Sequence, residues 1–343
     1  MIYLIYLFYL IDLIDWVELI EPFSKADRMI DNLAIRASGL HKHFGEIKAL
    51  DGVDLAVSEG EIFGLVGPDG AGKTTTMRVL TGILDATAGA AEVMGIDVLR
   101  FPETVKTHIG YMPQRFSLYG DLTVEENIFF FANLYHVPRA ERIKREQELL
   151  EFSRLTPFRT RLAQDLSGGM KQKLALTCTL IHTPKVLFLD EPTTGVDPVS
   201  RRDFWKILYA LLKQGVTLFV STPYMDEAER CNRVALMDKG KVILCDTPLG
   251  LKGRMRGDLF EIIAQPASAV KAGLAGCDFV LGVQIFGDRQ HVWVRDAATD
   301  ETRVQEALAA KEITVSSLRR IVPGLEDVFM SLVEEGGKHD FSG

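Results

Sequence analysis

Eight consecutive residues, Gly67-Pro68-Asp69-Gly70-Ala71-Gly72-Lys73-Thr74, fit the spacing G-x-x-x-x-G-K-[ST]. Glycines at this spacing let backbone N–H groups wrap phosphate oxygens, and the N-terminus of a following helix adds positive potential. Lys73 can then reach the β- and γ-phosphates of a nucleotide. The Thr74 hydroxyl is a candidate Mg²⁺ ligand, and Thr75 closes the candidate nucleotide site. Further along, Val186-Leu187-Phe188-Leu189-Asp190-Glu191 is an apolar run ending in two carboxylates. At the C-terminal end of a parallel strand such groups point into the crevice where ligands bind. Asp190 can hold Mg²⁺ through its water shell, and Glu191 can polarise an attacking water. Leu166-Ser167-Gly168-Gly169-Met170 sets two glycines after a serine at a helix start, a second anion site on the same chain. Two phosphate-binding loops on one chain for one nucleotide make sense if two copies clasp ATP between them.

Certain elements must position these groups. Leu33 to Val57 alternates like paired strands, with turns at Phe44-Gly45-Glu46 and Ser58-Glu59-Gly60. Glu61 to Val66 is a short buried strand entering the glycine loop, and the spacing predicts a helix from Lys73 to about Leu84. Residues 121–165 read as helical, with Asp121 and Thr123 as candidate caps. A helix follows Ser167, then the strand ending at Leu189, a helix from about Ser200 to Gln214 and a strand from Val216 to Val220. Strands alternating with helices predict an α/β fold with a parallel sheet covered on both faces. After Gly250 to Gly257 the rhythm changes. Strand-like stretches near 259–264, 279–286, 291–295 and 312–320 interleave with helical ones near 266–274 and 300–310, a small α+β domain over 258–335.

The chain has 343 residues, is 47% hydrophobic and 25% charged, and is therefore neither disordered nor fibrous. Its formal net charge of −8 argues against sequence-independent nucleic-acid binding, which needs a basic face. Cys178, Cys231, Cys245 and Cys277 are scattered, form no C-x-x-C pair, and read as idle thiols in a reducing compartment. Met1 to Ile11 is wholly apolar and aromatic, then Asp12, Asp15, Glu18 and Glu21 intervene. That run is too short to span a bilayer, which needs about 20 apolar residues, so any membrane role is expected to be peripheral. Three readings of residues 1–28 stay open: a membrane-surface helix, a segment packing on a partner, or a stretch translated ahead of a true start at Met29.

With every motif in order from about residue 33 to 248, the chain resembles the ATP-binding cassette (ABC) ATPases. The resemblance implies a P-loop core with an antiparallel β subdomain and a helical subdomain at about 115–165. The glycine loop matches the family's Walker A and Asp190 its Walker B. Ser167, Gly168 and Gly169 match the signature that faces the other subunit's ATP, with Met170 where the family more often has Gln. Gln114 resembles the glutamine that senses Mg²⁺ and the membrane partner. Phe44 stands where the family sets an aromatic against adenine, and Gly195-Val196-Asp197-Pro198 resembles the D-loop. Met170 to Leu174, Tyr224 to Cys231 and Leu325-Glu326-Asp327-Val328-Phe329 resemble the bacterial drug-, polymer- and ion-exporter branch, whose ATPase is a polypeptide separate from the membrane subunit. The implied assembly lies on the cytoplasmic face of the membrane: a second cassette, identical or not, and an integral permease, with ATP and Mg²⁺ as ligands.

One position departs from the family. Ser221-Thr222-Pro223-Tyr224 occupies the switch segment, and Pro223 replaces the histidine that contacts the γ-phosphate. Proline offers neither a side-chain donor nor a backbone N–H. The site is then either adequate through Glu191 and Mg²⁺ or a slow clamp, and the rival reading is a nucleotide-gated regulatory subunit. His182 reads as structural; His41 and His43 read as surface residues. A kinase or GTPase would have no use for Ser167-Gly168-Gly169, and the interval of about 92 residues from Lys73 to Asp165 lacks the heptads of chromosome-maintenance relatives.

Overall fold

The computed structural model describes residues 32–115, 118–255 and 257–339. Residues 1–28 therefore lie outside the described part, as do Phe116 and Ser117. Three sheets organise the chain. β1 (Leu33–Phe44), β2 (Ile47–Ser58), β4 (Ala88–Val93) and β5 (Ile96–Asp97) form an antiparallel sheet in the order β2-β1-β4-β5. The central sheet contains β3 (Ile62–Val66), β6 (Ile109–Met112), β7 (Val186–Asp190), β8 (Thr217–Thr222), β9 (Arg233–Asp238) and β10 (Lys241–Asp246), in the order β10-β9-β3-β8-β7-β6. Its strands run parallel except at the β9–β10 hairpin.

The central strands are buried on both faces, so they read as continuous apolar runs. Alternate side chains enter two different cores. Phe63, Leu65, Phe188 and Phe219 pack towards the antiparallel sheet and the helix Lys73–Leu80. Ile62, Val66, Leu187, Leu189 and Val220 pack with Phe204, Trp205 and Leu208 of the helix Pro198–Lys213 and Leu176 of the helix Gly168–Leu180. A third core joins Val124, Ile128, Leu150, Leu174 and Cys178, fastening the helices Val124–Leu134 and Arg139–Phe152 to the helix Gly168–Leu180.

β11 (Asp258–Gln265), β12 (Val280–Phe286), β13 (Arg289–Val294) and β14 (Thr314–Ile321) form a separate antiparallel sheet in the order β12-β13-β11-β14. The helix Ala297–Ala309 supplies Val304 and Leu308 to its core. The terminal helix Leu325–His339 returns to the central domain, burying Leu325, Val328 and Phe329 beside Leu251 and Ala228.

Several expected boundaries move. The helix opened by Lys73 stops at Leu80, because Gly82 takes a positive φ and the chain turns through Thr81–Leu84. Residues 121–165 are not continuous helix. Thr123, not Asp121, caps Val124–Leu134 through a reciprocal pair with Glu126, and Val137-Pro138 separates that helix from the next. Leu155 to Asp165 is built of 3₁₀ turns and a bridge between Thr123 and Leu162. The stretch 266–274 shrinks to a 3₁₀ turn and a single helical turn, Val270–Gly273.

Candidate functional site

The loop Gly67 to Gly72 leaves the C-terminal edge of β3 and turns directly into the helix Lys73–Leu80. Pro68, Asp69 and Gly70 are exposed, Gly67 and Ala71 buried, and Ala71 is tied at both ends: its N–H donates to Pro68 O and its carbonyl accepts from Gly240 N. Gly72 cannot be replaced here. It has φ 106°, and a Cβ on it would lie 2.7 Å from Ala49 O of β2. The loop is thus wedged against the antiparallel sheet, on the strand that follows Phe44.

Lys73 is buried, and its ammonium folds back across the loop to donate to Gly67 O at 2.9 Å and Pro68 O at 3.1 Å. Glu191 Oε1 faces it at 3.3 Å. Two charges out of water persist only when paired, and each here neutralises the other. Thr74 Oγ1, half-buried like Thr75, donates to Asp190 Oδ1 at 3.1 Å. Gln114 Nε2 donates to Glu191 Oε2 at 2.8 Å, so the glutamine sits on the catalytic candidate rather than on Thr74 or Asp190. The structure brings Lys73, Thr74, Gln114, Asp190 and Glu191 into one cluster at the C-terminal edge of the parallel sheet.

Three further residues belong to this cluster without having been singled out from sequence. Ser221, fully buried at the end of β8, donates to Asp190 Oδ1 at 2.6 Å and accepts from Glu191 N at 3.1 Å. It therefore holds Glu191 where the backbone adopts φ 49°, a conformation uncommon outside glycine. Tyr111 OH stands 3.5 Å from Asp190 Oδ2. Burial first, and the Asp190 charge second, push its hydroxyl up to about 12, so it remains a donor. Thr194 Oγ1 reaches Glu191 Oε2 at 3.4 Å. The signal for Ser221 was its place beside the switch position, in register with Asp190 on the neighbouring strand.

The switch segment is anchored from below. Glu227, fully buried, accepts from Thr222 Oγ1 at 2.9 Å and from Thr193 Oγ1, with Arg201 Nε 3.5 Å away. Thr222 Oγ1 also accepts from Tyr224 N at 3.1 Å. Pro223, half-buried, lies between these fixed points.

Ser167 caps the signature helix, its Oγ accepting from Met170 N at 3.3 Å. Gly168 is exposed with open space beside it, whereas Gly169 is buried. A Cβ at Gly169 would lie 2.5 Å from Ser200 Oγ, so only glycine lets the signature helix meet the helix opened by Asp197. Asp197 accepts from Val199 N and Ser200 N, which hold its carboxyl below the usual range, the side-chain bond from Ser200 foremost. Among the described residues, no side-chain hydrogen bond or ion pair joins Ser167–Met170 to the loop Gly67–Thr75. Phe44, at the tip of β1, is 49% exposed, with the Lys42 ammonium 5.1 Å from its ring. His182 is structural: Nε2 meets Ile109 O at 2.9 Å, the ring stacks on Tyr135, and burial lowers its basicity.

A family model described as ABC transporter matches residues 50–194. The daunorubicin resistance ATP-binding protein DrrA2 of Streptomyces coeruleorubidus is 38% identical over 308 residues, 88% of this chain and 96% of that protein. The chain belongs to the ABC transporter family of ATP-binding proteins. A Nod factor export ATP-binding protein of Paraburkholderia xenovorans is 35% identical, across 87% of this chain and 96% of its own length. The probable multidrug ABC transporter ATP-binding protein YbhF of Escherichia coli K12 is 45% identical over 224 residues, but the chain spans only 39% of that relative's length. Among solved structures, the ATP-binding subunit of an ABC transporter superposes with a TM-score of 0.59 at 28% identity, over 64% of this chain and 92% of its own. A dimeric cassette in a post-hydrolysis state with ADP and phosphate gives 0.57 at 26% identity, over 62% and 98%. The cassette fold is that of these neighbours: a P-loop α/β core bearing an antiparallel sheet. Among the described residues, no helix is long and apolar enough to cross a membrane.

Proposed function

We propose that the chain is the ATP-binding and hydrolysing subunit of an exporter, pairing with a second cassette around two ATP molecules and coupling to a separate membrane-spanning subunit on its cytoplasmic face. The observation that carries this reading is the joining of Thr74 to Asp190 and of Lys73 to Glu191 across β3 and β7. Hydroxyl, carboxylate and amide oxygens form the hard donor set that Mg²⁺ accepts, so Thr74, Asp190 and Gln114 fit that ion. When bound, Mg²⁺ neutralises charge developing between the β- and γ-phosphates. Lys73 would exchange its contacts with Gly67 O and Pro68 O for phosphate oxygens, freeing Glu191 to orient and polarise the attacking water. Phe44 would stack on adenine and Gly67–Thr75 would cradle the phosphates.

The Gly168 side of the helix start at Ser167 is open. In a paired arrangement Ser167, Gly168, Gly169 and Met170 would face the partner cassette's γ-phosphate, with Asp197 near the shared boundary. The docking face for the membrane subunit follows Gln114. Tyr119 packs edge-on against Phe130, and Phe129 and Leu134 of the same helix are exposed. Leu118, by contrast, turns into the helical core. Relatives named for daunorubicin resistance and Nod factor export support the exporter reading.

Pro223 favours a second reading, a slow or regulatory nucleotide gate. Turnover of Mg²⁺-ATP with and without the membrane subunit separates the two, since a transport motor accelerates on coupling and a gate does not. In the same preparation Glu191→Gln should trap an ATP-dependent pair, seen by light scattering. A monomer at saturating ATP with candidate cassettes and membrane subunit present would refute the clamp.

A further inference from the structure

His41 and His43 alternate with Lys42 on β1, so both imidazoles rise from one face of the sheet. Asp51 stands opposite on β2 as the pairing partner of His41. The β1–β2 register shifts between Leu40 and His41 and again between Lys42 and His43. Such irregularities re-aim side chains. Here they bring donor atoms of all three residues within 4.8 Å of one another. His41 Nδ1 lies 3.5 Å from Asp51 Oδ1, and the two imidazole rings meet edge to face. His43 Nε2 is buried and has no hydrogen-bond partner among the described residues, an arrangement that costs free energy until something takes its proton or lone pair. The backbone beneath is fixed from the next strand connection: Thr87 N donates to His41 O at 2.7 Å, and His43 N donates to Thr87 Oγ1 at 2.9 Å.

We propose that His41, His43 and Asp51 form a site for one divalent transition cation of the Zn²⁺ class. Two imidazoles and a carboxylate match the donor preference of such ions, whereas Mg²⁺ and Ca²⁺ favour oxygen throughout. The site is therefore chemically distinct from the oxygen donors Thr74 and Asp190. Asp51 Oδ2 rests on Lys241 at 3.3 Å, which orients the carboxylate as an outer partner does around a bound metal. Lys48, 3.7 Å from Oδ1, is well exposed and free to swing into solvent as a cation enters. Phe44 follows His43 directly, and Ala49 O abuts Gly72, so an ion here would stiffen the hairpin beside the phosphate loop.

Calorimetric titration of Zn²⁺ into the full chain, free of nucleotide and Mg²⁺, tests the site. One equivalent should bind, and His43→Ala and Asp51→Asn should each weaken it roughly tenfold or more. His108→Ala, a histidine outside the cluster, should bind as the unaltered chain does. Should His43→Ala fail to fold by circular dichroism, His43→Gln carries the same expectation. Absence of saturable binding, or equal affinity in the unaltered chain and His43→Ala, would overturn the proposal. So would binding lost in Asp190→Asn but kept in His43→Ala, which would assign the ion to the phosphate loop.

Discussion

Ser221 Oγ donates to Asp190 Oδ1 at 2.6 Å while accepting the N–H of Glu191 at 3.1 Å, so one hydroxyl fixes both neighbouring acidic residues. Ser221→Ala leaves the carboxylate with Thr74 and Tyr111 and leaves Glu191 N with the Ser221 carbonyl alone. The variant should lose about 1.5–3 kcal/mol of stability, the net worth of one hydrogen bond to a charged group, in urea unfolding. It should also need more Mg²⁺ for half-maximal ATPase activity. Ser221→Thr, which keeps the hydroxyl, should restore the Mg²⁺ response. An unchanged Mg²⁺ requirement in Ser221→Ala would leave the residue a purely structural part.

Lys73→Ala should weaken Mg²⁺-ATP binding at least tenfold, about 1.4 kcal/mol, because it removes the charge that on the proposed reading would face the β- and γ-phosphates. It also strips Glu191 of its partner at 3.3 Å in a buried setting. Glu191→Gln added to Lys73→Ala should therefore recover part of the lost stability without recovering nucleotide affinity. Calorimetry of binding and of unfolding on the two variants separates the effects. Equal ATP affinity before and after Lys73→Ala would sink the phosphate-loop assignment.

How much of this was legible follows from where each signal resides. The loop at 67–74, the Asp190-Glu191 strand end and the Ser167 helix start are short contiguous patterns set by backbone geometry, and the sequence displays them directly. Ser221 and Tyr111 were hidden because their roles come from strand neighbours: β7 lies between β6 and β8, so Asp190 meets residues distant in sequence. Asn127 is similar. Fully buried, it donates to Tyr119 O, Leu122 O and Thr123 O and accepts from Tyr119 N, shaping the approach to its helix. Nothing in local periodicity marks an asparagine as such a staple. The over-long helices expected at 121–165 and 266–274 came from composition, which does not register where 3₁₀ turns break a helical stretch.

Gly169→Ala should destabilise the fold by about 1–3 kcal/mol, an overpacking cost, since its Cβ would sit 2.5 Å from Ser200 Oγ. Ser200→Ala should not rescue it, because Ser200 Cβ is itself only 2.6 Å from the new methyl group. Urea unfolding of the single and double variants gives the comparison. Full stability in Gly169→Ala would mean that the two helices can part at no cost.

Pro223→His tests whether the switch position limits turnover. On the proposed reading, Glu191 and a bound Mg²⁺ would still supply water activation and charge neutralisation. A histidine would add one charge-assisted hydrogen bond to the γ-phosphate, worth roughly 1.5–3 kcal/mol. At 1.36 kcal/mol per factor of ten, kcat should rise by about 10- to 150-fold. ATP affinity should remain within a few-fold. The segment is favourable for the exchange. Thr222 and Tyr224 are held by Glu227 and by each other, so removing the proline ring leaves the flanking backbone anchored. A crystal structure of the variant with a non-hydrolysable ATP analogue reports whether the imidazole reaches the γ-phosphate. An imidazole in place with kcat unchanged would show that turnover is set elsewhere, and the slow-site reading would fall.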